Sequence, residues 1–162
     1  MPITVTAPRG VLTPAGERAV LPRLTEALIE VSGLTGNEFF TAVVGGTVHI
    51  LEAHDVYAGG VNQPIVMVEL KLPHIGLADQ ASRAAFIAAA TDIVADLAGP
   101  DHRREDTWVN ILNAPDGAWG LGGKAYTDEE LIAAITGVPV AASTPAAADT
   151  PSAASAPAVP VA

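Results

Sequence analysis

The feature that most constrains this chain is an internal repeat. Val20, Leu24, Ala27, Leu28 and Val31 have the i, i+4, i+7, i+8 spacing of an apolar helix face, and Phe86, Ala90, Ile93, Val94 and Leu97 repeat it 66 residues later. Gly33, at the end of the first helix, is matched by Gly99. The β-branched stretch Thr41-Ala42-Val43-Val44 is matched at the same offset by Thr107-Trp108-Val109-Asn110-Ile111. Each half opens on a Pro-Ile pair, at Pro2 and Pro64, so the first strand-to-helix connections differ by about four residues. The pattern reads as two βαβ units, about 2–60 and 64–126. The strands of such a unit run parallel, with the helix crossing one face. Two units give an α+β domain with a four-stranded sheet and both helices on one side. The uncovered face is then expected to be apolar, and so to drive oligomerisation.

Local signals place the elements. Pro2-Ile3-Thr4-Val5-Thr6 alternates like a strand. Thr13 is placed to cap a helix with Pro14 at its first position, and Gly33 stops it. Pro22 falls inside this helix and should bend it. A strand is expected over 64–70 and a helix over 79–98, ended by Gly99-Pro100. Between the repeats the chain is read as irregular through Gly59-Gly60. Pro115-Asp116-Gly117 and Gly122-Gly123 read as the turns of a small hairpin within 114–126, expected to dock on a neighbouring subunit.

The chain has 162 residues, and residues 139–162 are almost entirely Ala, Pro, Ser, Thr and Val, with Asp149 their one charged side chain. That composition is expected to be a disordered tail after a domain spanning 1–138. The formal charge of −10 argues against nucleic acid or an anionic membrane as partner. The absence of cysteine removes disulfides and thiol chemistry. Neither a signal peptide nor a membrane-length apolar run is read, so a cytoplasmic protein is expected.

Pro2-Ile3, the duplicated βαβ plan, and the run Trp108-Val109-Asn110-Ile111-Leu112-Asn113-Ala114-Pro115-Asp116-Gly117-Ala118-Trp119-Gly120-Leu121-Gly122-Gly123 together resemble the tautomerase superfamily, 4-oxalocrotonate tautomerase type, in a fused two-unit form over about 2–135. Leu12-Thr13-Pro14 and the helix after it also resemble the cis-3-chloroacrylic acid dehalogenases. The resemblance implies a homotrimer, a small oxo acid substrate, a catalytic amino-terminal proline, and neither cofactor nor metal. On that pattern Pro2 is the base once Met1 is removed, and Trp119 matches the family's apolar aromatic wall. Several polar positions depart from the pattern. Trp108 stands where the second-strand arginine is usual, and Leu72-Pro73-His74-Ile75 where the dehalogenases carry two arginines. Leu28 replaces a helical histidine and Asn110 a tyrosine. Ala118 stands where a glutamate would activate water. Arg9, Lys71, His74 and Asn110 remain as candidates to hold substrate, each equally readable as a solvated side chain.

The chemistry stands without the family. A free secondary amine at Pro2, desolvated in an apolar pocket, loses basicity toward neutral pH and can then move a proton between carbon and oxygen of a keto–enol pair. Pro64, an internal amide nitrogen, cannot replace it. Three readings follow: a tautomerase; hydration, decarboxylation or weak dehalogenation on the same scaffold; and a non-catalytic oligomeric binding protein. His49, His54 and Asp55 fit no zinc spacing. Gly117, Gly120, Gly122 and Gly123 fit no phosphate-loop order, and Arg103-Arg104-Glu105-Asp106 reads as a solvated loop.

Overall fold

The computed structural model describes residues 1–138; the tail expected over 139–162 lies outside the described residues. The chain runs β1 (Pro2–Pro8), α1 (Pro14–Val31), α2 (Glu38–Val43), β2 (Gly45–Leu51), the short pair β3 (Tyr57–Ala58) and β4 (Val61–Asn62), then β5 (Val66–Leu72) and α3 (Gln80–Leu97). It ends in β6 (Thr107–Asn113), the hairpin β7 (Trp119–Leu121) and β8 (Lys124–Tyr126), and α4 (Asp128–Thr136). The main sheet has the order β2-β1-β5-β6. β1 pairs parallel with β2 and β5 parallel with β6, while β1 and β5 are antiparallel. The two βαβ units expected from the repeat are therefore present, joined through their first strands. Among the described residues no helix is long and apolar enough to cross a membrane.

Strand alternation builds the core. Ile3, Val5 and Ala7 of β1 and Val66, Val68, Leu70 and Leu72 of β5 turn inward and are buried. Val20, Leu24 and Leu28 of α1 and Phe86, Ala90, Ile93 and Val94 of α3 meet them from one side. The apolar stripes read from the sequence are thus the packed faces. Thr13 caps α1 by accepting from the Gly16 N–H at 3.0 Å, and Asp79 caps α3 by accepting from Ser82 N–H at 2.8 Å. The start of α1 is clipped to the end of α3: Thr13 N–H donates to Leu97 O at 3.0 Å and Gly99 N–H to Val11 O at 2.9 Å. α1 runs through Pro22 without interruption.

Four expectations change. The strand expected at 41–44 is instead the end of α2. Asn37 caps that helix by accepting from Phe40 N–H at 2.8 Å, and Phe40 is buried by it. β2 begins only at Gly45, so the outer strands β2 and β6 are offset by 62 residues while the helices α1 and α3 keep 66. The strand expected over 64–70 runs from Val66 to Leu72; Pro64 has no N–H for the ladder. Residues 57–62, read as irregular, form the β3–β4 pair. The helix-free face is mixed, not apolar. Outward positions carry Thr4, Thr6, Glu69, Lys71 and Asn110 beside Trp108 and Leu112, the last two 44% and 48% exposed.

A helix absent from the sequence reading, α4, follows the hairpin. Its signal is present: Thr127 and Glu130 form a capping box ahead of Leu131, Ile132 and Ile135, and Gly137 closes the helix at φ 71°. The hairpin itself is seated on its own chain, with Tyr126 packed on Trp119 (5.6 Å between ring centroids) and on Phe39 of α2 (6.5 Å).

The join between β1 and β2 is tight at one residue. A Cβ at Gly46 would run into the Ile3 carbonyl oxygen and come within 2.7 Å of Leu21 Cδ1, whereas one at Gly45 would meet nothing within 4 Å. Gly46→Ala is expected to cost about 1–3 kcal/mol, as overpacking against backbone does. Gly45→Ala should stay within about 0.5 kcal/mol of wild type. Thermal or urea unfolding of the two variants checks the contrast.

Candidate active site

Pro2 opens β1 opposite Gly45 in the parallel register. The antiparallel register that pairs Ile3 with Leu70 brings Lys71 alongside Pro2 at the same end of the sheet, with Leu112 and Asn113 next along it. Pro2 and Lys71 share the helix-free face and are exposed. Met1 points the other way. Its side chain is 6% exposed and belongs to the core cluster. Its amino group donates to Val43 O, and Gly45 N–H donates to Met1 O at 3.3 Å. Burial lowers the pKa of this terminal amine, because the charged form loses its water. The Pro2 nitrogen, an amide while Met1 is attached, thus joins a solvated face to a buried one.

On the buried side Met1 lines a cavity of about 390 Å³, within the roughly 300–1,000 Å³ typical of small-molecule sites. Phe40 of α2, Leu34 after α1, Ile75 and Leu77 of the loop after β5, and Leu131 and Ile135 of α4 are among the apolar residues of its wall. Ser32, Asp79, Ser82 and Thr136 are its polar members. Among the described residues, none that lines it is Lys, Arg or His. The Asp79 carboxylate is committed to the start of α3, and the Ser82 N–H and hydroxyl that it accepts from hold its pKa below the usual carboxylate value.

The loop between β5 and α3 is held in one shape. Asn113 Nδ2 donates to Gly76 O at 2.6 Å and to Pro73 O at 3.0 Å. Leu77 has φ 46°, a left-handed conformation costing a side-chain-bearing residue about 1–3 kcal/mol. Arg83 braces it, Nε donating to Leu77 O at 2.8 Å and Nη2 to Ala78 O at 3.0 Å. The effect is to turn the buried Leu77 side chain into the cavity wall. Neither Asn113 nor Leu77 stood out in the sequence, since what distinguishes each is a contact or dihedral made by distant residues. Asn113 does sit inside the 108–123 run that carries the family resemblance.

The candidate residues fall in different places. Lys71 lies at the Pro2 end, its Nζ 4.0 Å from Glu69. Asn110 is on the same face, opposite Glu69 in the β5–β6 register. His74 is mostly exposed and its Nδ1 pairs with Asp128 Oδ2 at 2.7 Å, so it ties the loop to α4 instead of facing the cavity. Trp119 is half-buried against the core through the hairpin and is not among the cavity's lining residues. Arg9 follows the far end of β1, a seven-residue strand and so roughly 23 Å from Pro2. There it pairs with Glu52 at 2.9 Å. Within one chain, then, Pro2 and Lys71 come together, Asn110 lies one row in, and Arg9 stands apart. Among the described residues no group of three or more His, Cys, Asp or Glu side chains is arranged to hold a metal ion.

No protein-family model and no curated protein sequence matches the chain. Solved structures do. A wild-type fused 4-OT solved as a symmetric trimer aligns with TM-score 0.65 at 21% identity, covering 81% of this chain and 98% of its own. Pt0534, solved after inactivation by 2-oxo-3-pentynoate, aligns with TM-score 0.64 at 20% identity over 81% of this chain and 98% of its own. N1, a member of the cis-3-chloroacrylic acid dehalogenase family, aligns with TM-score 0.65 at 17% identity over 82% of this chain and 89% of its own. At these identities the likeness is one of fold, and it covers nearly the whole of each relative. The chain shares the duplicated β-α-β fold of these solved structures.

Proposed function

We propose that this chain, once Met1 is removed, is a tautomerase in which the Pro2 amine is the general base for keto–enol proton transfer on a small oxo acid. The observation that carries the reading is the setting of the amine. Pro2 opens β1 with Lys71 alongside it in the register, and it directly follows Met1, which lines the largely apolar cavity; a free amine desolvated at that position would have its charged form disfavoured. A neutral secondary amine takes the proton from the enol oxygen or from the carbon beside the carbonyl and returns it to the other position. Charge that develops on the substrate oxygen needs a donor; Lys71, alongside Pro2 in the register, is the residue assigned that part. Arg9 and Asn110 are then read as substrate contacts supplied across a homotrimer, the assembly in which the fused 4-OT relative was solved. His74 and Trp119 are read as supports of the site's outer wall.

Hydration or hydrolytic dehalogenation would need a carboxylate poised to activate water, and Ala118 occupies the position the resemblance assigns to it. A non-catalytic binding protein would tolerate loss of the Pro2 amine.

Intact mass should lack Met1, and phenylenolpyruvate ketonisation should fall by about 10²–10⁴-fold in Pro2→Ala, the usual loss for a general base. Retained Met1 with turnover, or equal rates in both proteins, refutes the assignment. 2-Oxo-3-pentynoate, the inactivator of Pt0534, carries an electrophilic alkyne that a neutral amine can add to. One molecule of it should be found on the Pro2 peptide of wild type and not of Pro2→Ala.

The pH dependence follows from sign. The base works as the neutral amine, so kcat/KM should rise with pH through the pKa of the amine. If the site desolvates the Pro2 amine, that limb falls below the ordinary α-amino value of about 8. A limb above pH 9, measured over pH 5–10, would contradict a desolvated base. Lys71→Ala should lower kcat by about 10–100-fold with a smaller effect on KM, because the charge it meets develops in the transition state.

A further inference from the structure

The cavity beside Met1 has a roof. Leu131, Ile132, Ile135 and Thr136 of α4 line it, and α4 is fastened at both ends. At its start Asp128 N–H donates to Asp116 Oδ1 at 2.7 Å and the Asp128 carboxylate pairs with His74 at 2.7 Å. At its end Asn37 Nδ2 donates to Ile135 O at 2.7 Å. The opposite wall is the braced Leu77 and the buried Phe40. Met1 is part of the lining, with its side chain buried. Its removal adds that space to the cavity and leaves the Pro2 nitrogen at the boundary.

We propose that this cavity is the subsite for an apolar tail, so that the substrate is an oxo acid with a single carboxylate near the reacting carbons and an aryl or branched alkyl group beyond them. The inference rests on the reading of Pro2 as the base, and it names the substrate class of that site. Two observations carry it. The volume of about 390 Å³ is well above the roughly 150 Å³ of apolar cavity that accommodates benzene. The lining also turns away a second carboxylate: among the described residues it holds no Lys, Arg or His, and its one charged side chain, Asp79, is negative. A dicarboxylate entering tail-first would lose water with nothing to pair with. An apolar tail gains about fourfold in affinity for each methylene removed from water. The reacting end remains on the helix-free side, beside Lys71.

Two small or exposed residues on different walls allow the space to be blocked without touching the packed core. Ala78 is exposed on the rim, and its contact with Arg83 is through its carbonyl, which a substitution keeps. Thr136 is exposed on α4. The probes are 3-phenylpropanoate and succinate, which cannot react, titrated calorimetrically into full-length protein shown by mass to lack Met1. Wild type is expected to bind 3-phenylpropanoate at least 10-fold more tightly than succinate. Ala78→Trp, or Thr136→Trp where circular dichroism shows the first to be misfolded, should reduce that preference to within threefold. Ketonisation should follow, with kcat/KM for phenylenolpyruvate falling at least 10-fold further than that for enol-oxaloacetate. Equal binding of the two acids, preference for succinate, binding of neither, or an unchanged preference in both folded tryptophan variants would overturn the subsite. Pro2→Ala separates the two proposals. Preference retained with turnover lost supports both, while preference retained with turnover intact keeps the subsite and removes the base.

Discussion

The antiparallel pairing of β1 with β5 carries the rest of this molecule. It couples Ile3 to Leu70, Val5 to Val68 and Thr6 to Met67 at the centre of the sheet, and it is the seam between two units that cannot each bury a helix face alone. The inward residues of both strands are almost entirely removed from water, which fixes the register, since a slip of one residue would turn each apolar side chain outward. From that register follow the stacking of α1 on α3, the placing of each outer strand, and the meeting of Pro2 with Lys71. Two residues drawn from the two halves of a duplicated chain are brought to one end of the sheet by a core constraint.

The same constraint gives the site its two-sidedness. Successive residues of a strand point to opposite faces, so Met1 and Pro2, adjacent in sequence, serve different environments. Met1 lies among Phe40 and Leu77, and Pro2 lies on the helix-free face with Lys71 and Thr4. A nitrogen at such a boundary can be desolvated on one side and reached by a charged substrate head on the other. The wall on the buried side depends on elements outside the βαβ plan: α2, the braced loop at Leu77, and α4. These are the parts in which two chains of this fold can differ while the sheet stays the same, and substrate choice is reasonably sought there.

Charge is distributed in keeping with this. Arg9 with Glu52, Arg23 with Asp96, Arg103 with Asp106 and Lys124 with Glu130 hold cations in local pairs at 2.7–3.0 Å. Most of these side chains are well exposed, where such pairs contribute little to stability. Asp106 is the exception in burial, at 8% exposed; the guanidinium of Arg103 lies across it and holds its carboxyl below the usual range. That pair fastens the turn leading into β6. It belongs to the scaffold, at the end of β6 remote from Asn113 and the Pro2 side of the sheet.

What the sequence by itself determined was much of what local periodicity and capping govern. The helix stripes at Val20 to Val31 and Phe86 to Leu97, the cap at Thr13, the strand at Thr107, the duplication and the fold it implies could all be read from residue spacing, because a helix face or a cap involves residues a few positions apart. The strand placed at 41–44 failed for a related reason: a 66-residue offset exact for the helices was carried to strands whose connections differ, and Asn37 had already opened α2. The capping box of α4 was legible and went unread. What only the tertiary structure decided was which chemistry-bearing residues meet. Lys71 reaches Pro2 through an antiparallel register, Arg9 is held a strand's length away, His74 is turned to Asp128, and Leu77 is forced to a left-handed dihedral by Arg83 and Asn113. Each of those outcomes rests on contacts between residues far apart in the chain, and no local pattern of residue types encodes a partner that packing alone selects.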